Sequence, residues 1–284
     1  MKMAFSVNTN VSAMAALQEL NRTNKGLSTT ESRITSGKNV NSTRDDSATF
    51  ITAQGLRGKL GDLKAVNSSL GNAKSVVDIA VSGTEQISDL VNQMRTLAKQ
   101  SADNTISDTQ RTSLNNDFQG LLKQITVITN SSEFNGKNLL TTSTSSGIQP
   151  LQSLATVSGG PDTMSISGAD LALAAAGSSA LATDSSISSA SGATTINGYL
   201  DAYNTKVNSA LSNLGSAARQ IDAQLSFTSK LSDTIESGVG NLVDADLAKE
   251  SAKLTALQTK QQLGVQALSI ANQAPQMINQ LFKG

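Results

Sequence analysis

The chain contains no cysteine, no histidine and no tryptophan, and aromatic residues make up only 3% of its 284 positions. Without cysteine no disulfide stabilises the fold, and pairing says nothing about the redox compartment. Without histidine, neither a Ser-His-Asp or Cys-His nucleophile nor an HExxH zinc site can be assembled. Carboxylates and lysines alone would have to carry any catalysis, so no catalytic site, metal site or cofactor is expected. The 22 basic and 22 acidic residues cancel, whereas a nucleic-acid binder would carry a basic stripe. No apolar run reaches the ~18 residues of a membrane span, and Met1-Lys-Met-Ala-Phe-Ser-Val-Asn-Thr-Asn10 lacks the apolar core of a secretory signal. A soluble protein with no membrane insertion is therefore expected, one that leaves the cell, if at all, without a cleaved signal. Composition alone favours the cytoplasm.

With so few aromatics, packing must come from Leu, Ile, Val and Ala, as it does in helix seams. From Val11 to about Ser36, Ala13, Leu20, Leu27 and Ile34 recur at steps of seven, with Leu17 adding to the face and Asn24 and Glu31 diluting it. Gly37 ends that pattern, and Lys38 to Thr43 reads as an extended connector. A second helix is expected from Arg44-Asp45-Asp46, whose carboxylates suit the positive end of a helix dipole. Its seam is the strongest periodic signal: Leu56, Leu63, Leu70, Val77, Thr84, Val91 and Ala98, with Val66, Ala73, Ala80, Ile87 and Met94 three residues after. Gly55, Gly58, Gly61, Gly71 and Gly83 avoid those positions. Ser107-Asp-Thr-Gln110 has capping-box spacing, and Leu114, Phe118, Leu121, Ile125 and Ile128 trace a third helix, antiparallel to the second. Glu133-Phe-Asn-Gly136 is a turn that ends the helical period.

From Thr141 to Ala193 the composition shifts to Ser, Thr, Gly and Ala. Leu151 to Val157 and Met164 to Ile166 form a candidate hairpin, the remainder reads as flexible low-complexity surface, and the dense hydroxyls suit O-linked glycans. Helical period resumes near Ile196 with Leu200, Val207, Leu214, Ile221, Thr228, Ile235 and Leu242, and Leu211, Ala218, Leu225 and Val239 as companions. A break is expected at Gly238-Val-Gly240 and Val243 to Asp246. The terminal helix then carries Leu247, Leu254, Leu257, Leu268, Ala271 and Ile278 on one stripe, interrupted by Gln261, Gly264 and Pro275.

The two ends are weak in the same way, which pairs them as a layer beyond the three strong helices. Ordering backbone costs ~1–2 kcal/mol per residue, and a buried Leu or Ile returns only ~1.5–3 kcal/mol. One such residue every three or four leaves a two-helix layer marginal, so folding coupled to polymerisation is expected. The fold class that follows is mainly α: an elongated coiled-coil-like helical bundle with paired N- and C-terminal helices and a small β-hairpin region in the middle segment.

Arg33-Ile-Thr-Ser-Gly-Lys-Asn-Val-Asn-Ser-Thr-Arg-Asp-Asp-Ser-Ala48 closely resembles a motif of bacterial flagellins. Met94 to Ala102, Glu133 to Gly136 and Ala271-Asn-Gln-Ala-Pro-Gln276 are similar to further signatures of that family, in the same order, over about residues 1–140 and 195–284. The resemblance implies a filament subunit exported unfolded through the flagellar type III channel, which replaces the cytoplasmic expectation. It implies an inner polymerisation layer from residues 1–43 and 241–284, a bundle from 44–140 and 194–240, and a surface segment at 141–193. Leu17, Leu20, Leu27, Ile34, Leu247, Leu254, Leu257, Leu268 and Ile278 are the expected polymerisation residues. Leu56, Leu63, Leu70, Val77, Ile87, Val91, Met94, Leu200, Val207, Leu214, Ile221 and Ile235 are the expected bundle core. Implied partners are other copies of the chain, a flagellin chaperone on the C-terminal segment, a filament cap and hook-filament junction proteins. Implied too are terminal helices that order only on assembly.

The segment 141–193 is too short for large outer domains. In flagellins that activate their innate immune receptor, an Arg and a Glu stand where this sequence has Gln93 and Thr96; loss of a guanidinium fork implies weak receptor activation. A hook-filament junction protein is the nearest alternative, and a cytoplasmic coiled-coil adaptor a distant one. A zinc protease insert, known in some flagellins, is excluded by the missing histidine.

Overall fold

A computed structural model describes residues 10–141, 164–175, 177 and 179–281, with side chains to residue 273. Five helices dominate: α1 (Val11–Ser36), α2 (Ser47–Ser101), α3 (Asp108–Ser131), α4 (Ala190–Val243) and α5 (Leu247–Leu281), with a two-stranded antiparallel sheet, β1 (Glu133–Phe134) and β2 (Lys137–Asn138), after α3. They fall into two compact units, Met1–Gly58 with Thr234–Gly284, and Lys59–Asp233. The divisions lie inside α2 and α4 rather than at the breaks between helices.

Each helix end has a local cause. Asn10 caps α1 by accepting from the Ala13 N–H at 3.0 Å, and Gly37, in the left-handed region at φ 67°, ends it. The two carboxylates expected in the first turn of α2 stand before it. Asp46 accepts from the Ala48 and Thr49 N–H groups at 3.0 and 3.2 Å, and Asp45 accepts from Asn41 and Ser42 at 3.0 and 2.9 Å, closing a turn in the connector. A short Asp side chain reaches the orphan N–H groups of a helix from the position outside it. Ser107 and Gln110 form the capping box of α3.

The helix α4 begins before Ile196, where Ser189 accepts from the Gly192 N–H at 3.1 Å. It also runs through Gly238 and Gly240, against the expected break, because Val239 and Val243 are buried on one face and packing overrides glycine's propensity. The chain turns instead at Asp244 to Asp246, and Asp246 caps α5 from outside at 3.0 and 3.1 Å.

In the unit Lys59–Asp233, α2 runs antiparallel to α4. Lys74 pairs with Asp222 at 2.6 Å and Arg95 with Asp201 at 2.5 Å. Leu63, Leu70, Val77, Ile87, Val91 and Met94 are buried against Leu200, Val207, Leu214 and Ile221. Phe118, Leu122 and Ile125 close the core from α3. Leu56 and Ile235 belong to the other unit, where both are partly buried against Val40, Ala53, Val239 and Val243.

The hairpin turns at Asn135 (φ 52°) and Gly136 (φ 72°), two consecutive positive φ values of the kind a two-residue type I′ loop requires. The first strand of the expected hairpin, Leu151 to Val157, lies outside the described residues. The described part of the middle segment is packed rather than loose surface. Ile166, Leu171, Leu181 and Ile187 are buried in the bundle core. Leu139 and Leu140 carbonyls accept from Ala169 and Leu171 at 2.7 and 2.8 Å, Ser101 donates to the Ile187 carbonyl at 2.5 Å, and Asn115 accepts from Ile187 at 2.8 Å. The Tyr203 hydroxyl donates to the Leu171 carbonyl at 2.6 Å, and burial pushes its phenol far above the ordinary range. Sparse apolar residues suffice here because the surrounding helices supply the polar partners of this backbone.

Candidate assembly interface

The helices α1 and α5 lie antiparallel in the unit formed by the chain's two ends. From α5, Leu254, Leu257, Gln261, Gly264, Leu268 and Ala271 turn toward α1 at alternating steps of three and four, and Ala13, Ala16, Leu20, Thr23, Leu27 and Thr30 answer from α1. The heptad rule thus places the face, and chemistry departs from it. Gln261 and Gly264 interrupt the apolar stripe while occupying interface positions. Gln261 donates to the Asn24 side-chain oxygen at 2.8 Å. A methyl at Gly264 would stand 3.4 Å from Leu20 and one at Gly26 would stand 3.5 Å from Leu257, both ordinary van der Waals contact, so each glycine faces a leucine of the other helix.

Of the expected polymerisation residues, Leu27 is buried and Leu20, Ile34, Leu254, Leu257 and Leu268 are half-buried in this pair. Leu17 and Leu247 are about half exposed, at 48% and 50%. Ile278 lies in the helix, its side chain outside the described residues, as does that of Pro275. The positions that periodicity reserved for apolar residues and that polar ones fill are Thr23, Thr30 and Glu250, all buried. Their heptad spacing was the signal, and their polarity hid it.

Glu250 accepts from Arg33 at 3.3 Å across the pair and lies 3.6 Å from Lys253 on its own helix. Burial pushes its carboxyl up, but Lys253, Arg33 and the Thr30 hydroxyl outweigh that and hold it below the ordinary carboxylate range. A depressed carboxyl favours the folded state above the ordinary range, about pH 4, and loses that contribution as pH falls through its own lower value. Glu250→Gln should therefore flatten the acid limb of α1–α5 helicity, followed by circular dichroism during acid titration. The variant keeps the acid dependence of Asp45 and Asp46, lowered by hydrogen bonds from Asn41 and Ser42 and from Thr49. An unchanged acid limb in the variant would remove Glu250 from this role.

At the base of the pair the connectors zip together. Asn39 and Val40 donate to the Val243 carbonyl at 2.7 and 3.3 Å, and Ala245 donates to Gly37 at 2.9 Å. Outward, Val11, Met14, Leu263, Val265 and Ile270 are exposed beside Leu17. Among the described residues no three acidic groups are placed to hold a metal ion, and no helix is long and apolar enough to cross a membrane.

Two family models match this architecture. Residues 7–145 match the bacterial flagellin N-terminal helical region, which includes α1 and the connector, and residues 198–282 match the bacterial flagellin C-terminal helical region, which includes α5. Full-length relatives decide the matter: flagellin FljM of Caulobacter vibrioides is 39% identical over 278 residues, spanning 98% of both chains. The chain belongs to the bacterial flagellin family. A flagellin of Brucella melitensis is 33% identical over 98% of this chain and 99% of its own. The crystal structure of Bacillus cereus flagellin aligns over 56% of this chain and 88% of its own, with TM-score 0.47 and 23% identity. As a flagellin the chain is a structural filament subunit, and neither a hook-filament junction protein nor a cytoplasmic adaptor is favoured. The cytoplasmic location that composition favours gives way to the extracellular flagellar filament.

Proposed function

We propose that this flagellin polymerises through the α1–α5 pair, residues 1–43 and 241–284 forming the inner layer of the filament and 44–140 with 194–240 the bundle outside it. The observation that carries this reading is the pair's unevenness. Its inner seam is closed by Leu20, Leu27, Leu254, Leu257 and Leu268 with Gln261 bonded to Asn24, while Val11, Met14, Leu17, Leu263, Val265 and Ile270 present apolar surface outward. Other copies of the chain cover that surface. The chain is exported unfolded, with the C-terminal segment held by a flagellin chaperone, then folded beneath a cap on a base of hook-filament junction proteins. It catalyses nothing.

Filaments sheared from cells test this directly. Electron microscopy should show helical polymer whose main component has the intact mass of this chain, plus any glycans on the middle segment. Presence in only a few copies would point to a junction role instead.

The receptor reading rests on Gln93 and Thr96. Both are exposed on α2, lining an open groove with Asn116, Gly120 and Gln124 of α3, and Thr96 spends its hydroxyl on the Asn92 carbonyl at 3.1 Å. Monomer should activate the innate flagellin receptor weakly, and Gln93→Arg with Thr96→Glu should raise the reporter response at least about tenfold. A robust response to the unaltered chain would refute it.

A further inference from the structure

We propose that Asn138 is a positioning residue whose carboxamide fastens the middle segment to the bundle. It ties the end of α3 to Leu139 and Leu140, whose carbonyls in turn receive residues 169–171, so that hairpin and middle segment move as one body. Every residue involved lies within the unit Lys59–Asp233, so the coupling does not depend on how the chain polymerises.

A helix leaves its last carbonyls without donors of its own. At the end of α3 the Ile128 carbonyl accepts from the Ser132 backbone N–H at 3.0 Å and from its hydroxyl at 2.7 Å. The next two carbonyls, of Thr129 and Asn130, are answered from beyond the hairpin. The turn at Asn135 and Gly136 brings the chain back antiparallel, with Asn138 opposite Glu133. There the Asn138 Nδ2 donates to the Thr129 carbonyl at 2.7 Å and reaches that of Asn130 at 3.4 Å. On its other side Oδ1 accepts from the N–H groups of Leu140 and Thr141 at 2.7 and 3.2 Å. Among side chains this short, only a carboxamide offers two donors beside an acceptor oxygen at neutral pH.

That grip fixes where the following residues go. Leu139 and Leu140 are buried, the Leu140 side chain against α2 at Gly83. Their carbonyls accept from Ala169 and Leu171, and the Leu171 carbonyl accepts from the Tyr203 hydroxyl of α4 at 2.6 Å. Leu171 is thus held through its N–H by a residue that α3 positions and through its carbonyl by a residue of α4. Hydrogen bonds in such a chain support one another, since each fixes an atom that the next one needs. Ile187 is anchored separately, by Asn115 and Ser101. The segment therefore has two fastenings, and Asn138 governs the first.

Hydrogen exchange on the full-length chain tests the coupling. Asn138→Asp keeps the shape and the acceptor but loses the donors at neutral pH, and it sets a negative charge beside the carbonyl end of α3. It should speed exchange of the Ala169 and Leu171 amides about tenfold, far along the chain from residue 138, and leave the Ile187 amide within about twofold of its original rate. Tyr203→Phe should speed the same two amides by a similar factor. Combining the two substitutions should add no more than about threefold to the larger single effect, because both anchors hold one closed state, whereas independent anchors would multiply to about a hundredfold. Ala169 and Leu171 amides unmoved by Asn138→Asp would overturn the coupling, and so would the full product in the double variant. An Ile187 amide that quickens with the others would overturn it too, since the unit would then be loosening as a whole.

Discussion

Truncation after Asp246 should reduce sedimentable polymer to background while the helical unit from Lys59 to Asp233 stays folded. The cut removes all of α5, and with it Leu254, Leu257, Gln261, Gly264, Leu268 and Ala271, which face α1. It spares Val239 and Val243, so the buried cluster with Val40 and Ala53 keeps its members. Left alone, α1 has only Thr23, Leu27 and Thr30 buried and loses the partner that buries them. An isolated helix of that length and polarity is marginal in water. Circular dichroism of the truncated chain should thus show the helix of α2, α3 and α4 alone, and ultracentrifugation should find no filaments. Polymer in normal yield from the truncated chain would sink the assembly role of α5.

The second large effect concerns Gly83, in the second half of α2. A Cβ there would collide with the Ser132 hydroxyl and come within 3.1 Å of a Leu140 methyl. Neither neighbour can yield freely. Ser132 donates to the Ile128 carbonyl at 2.7 Å at the end of α3, and Leu140 is fully buried while its carbonyl holds Leu171. Overpacking of a closed site costs typically ~1–3 kcal/mol and more for a branched side chain, against at most ~1 kcal/mol regained in helix propensity. Gly83→Val should therefore destabilise by about 3 kcal/mol or more, lowering the melting temperature by about 6–12 °C. Gly198, also in a helix of this unit, has nothing within 4 Å of a Cβ position. Gly198→Ala should raise stability by about 0.5–1 kcal/mol. Thermal melts of the two variants should move in opposite directions; both moving upward would mean that the close approach at Gly83 relaxes without cost.

Filament failure in a Gly83 variant would differ in kind from failure of the truncated chain. The first reaches the packed unit, where Leu140 and the middle segment share one core. The second leaves that core alone. Comparing melting temperature with polymer yield separates a subunit that cannot fold from one that folds and cannot join.

Repetition at seven residues was legible in the chain before any fold was known. It placed Leu63, Leu70, Val77, Leu200, Val207 and Leu214 on faces that are buried, because their burial follows from spacing and apolarity together. The Asn-Gly turn at 135–136 and the capping box at Ser107 were equally readable, since each needs only neighbours within a few residues. The flagellin signatures at Arg33 to Ala48 and near the C-terminus were linear as well. Tertiary structure alone decided what spacing leaves open. Thr30 and Glu250 are buried because Leu27, Arg33 and Lys253 surround them, and nothing local in their identity announces it. Gly264 reads as a flaw in a stripe until Leu20 is opposite it. The described residues between 164 and 189, poor in large apolar groups, are ordered by Tyr203, Ser101 and Asn115, which are distant in sequence. Periodicity is carried by one helix and can be read from it; complementarity belongs to two surfaces and exists only once they have met.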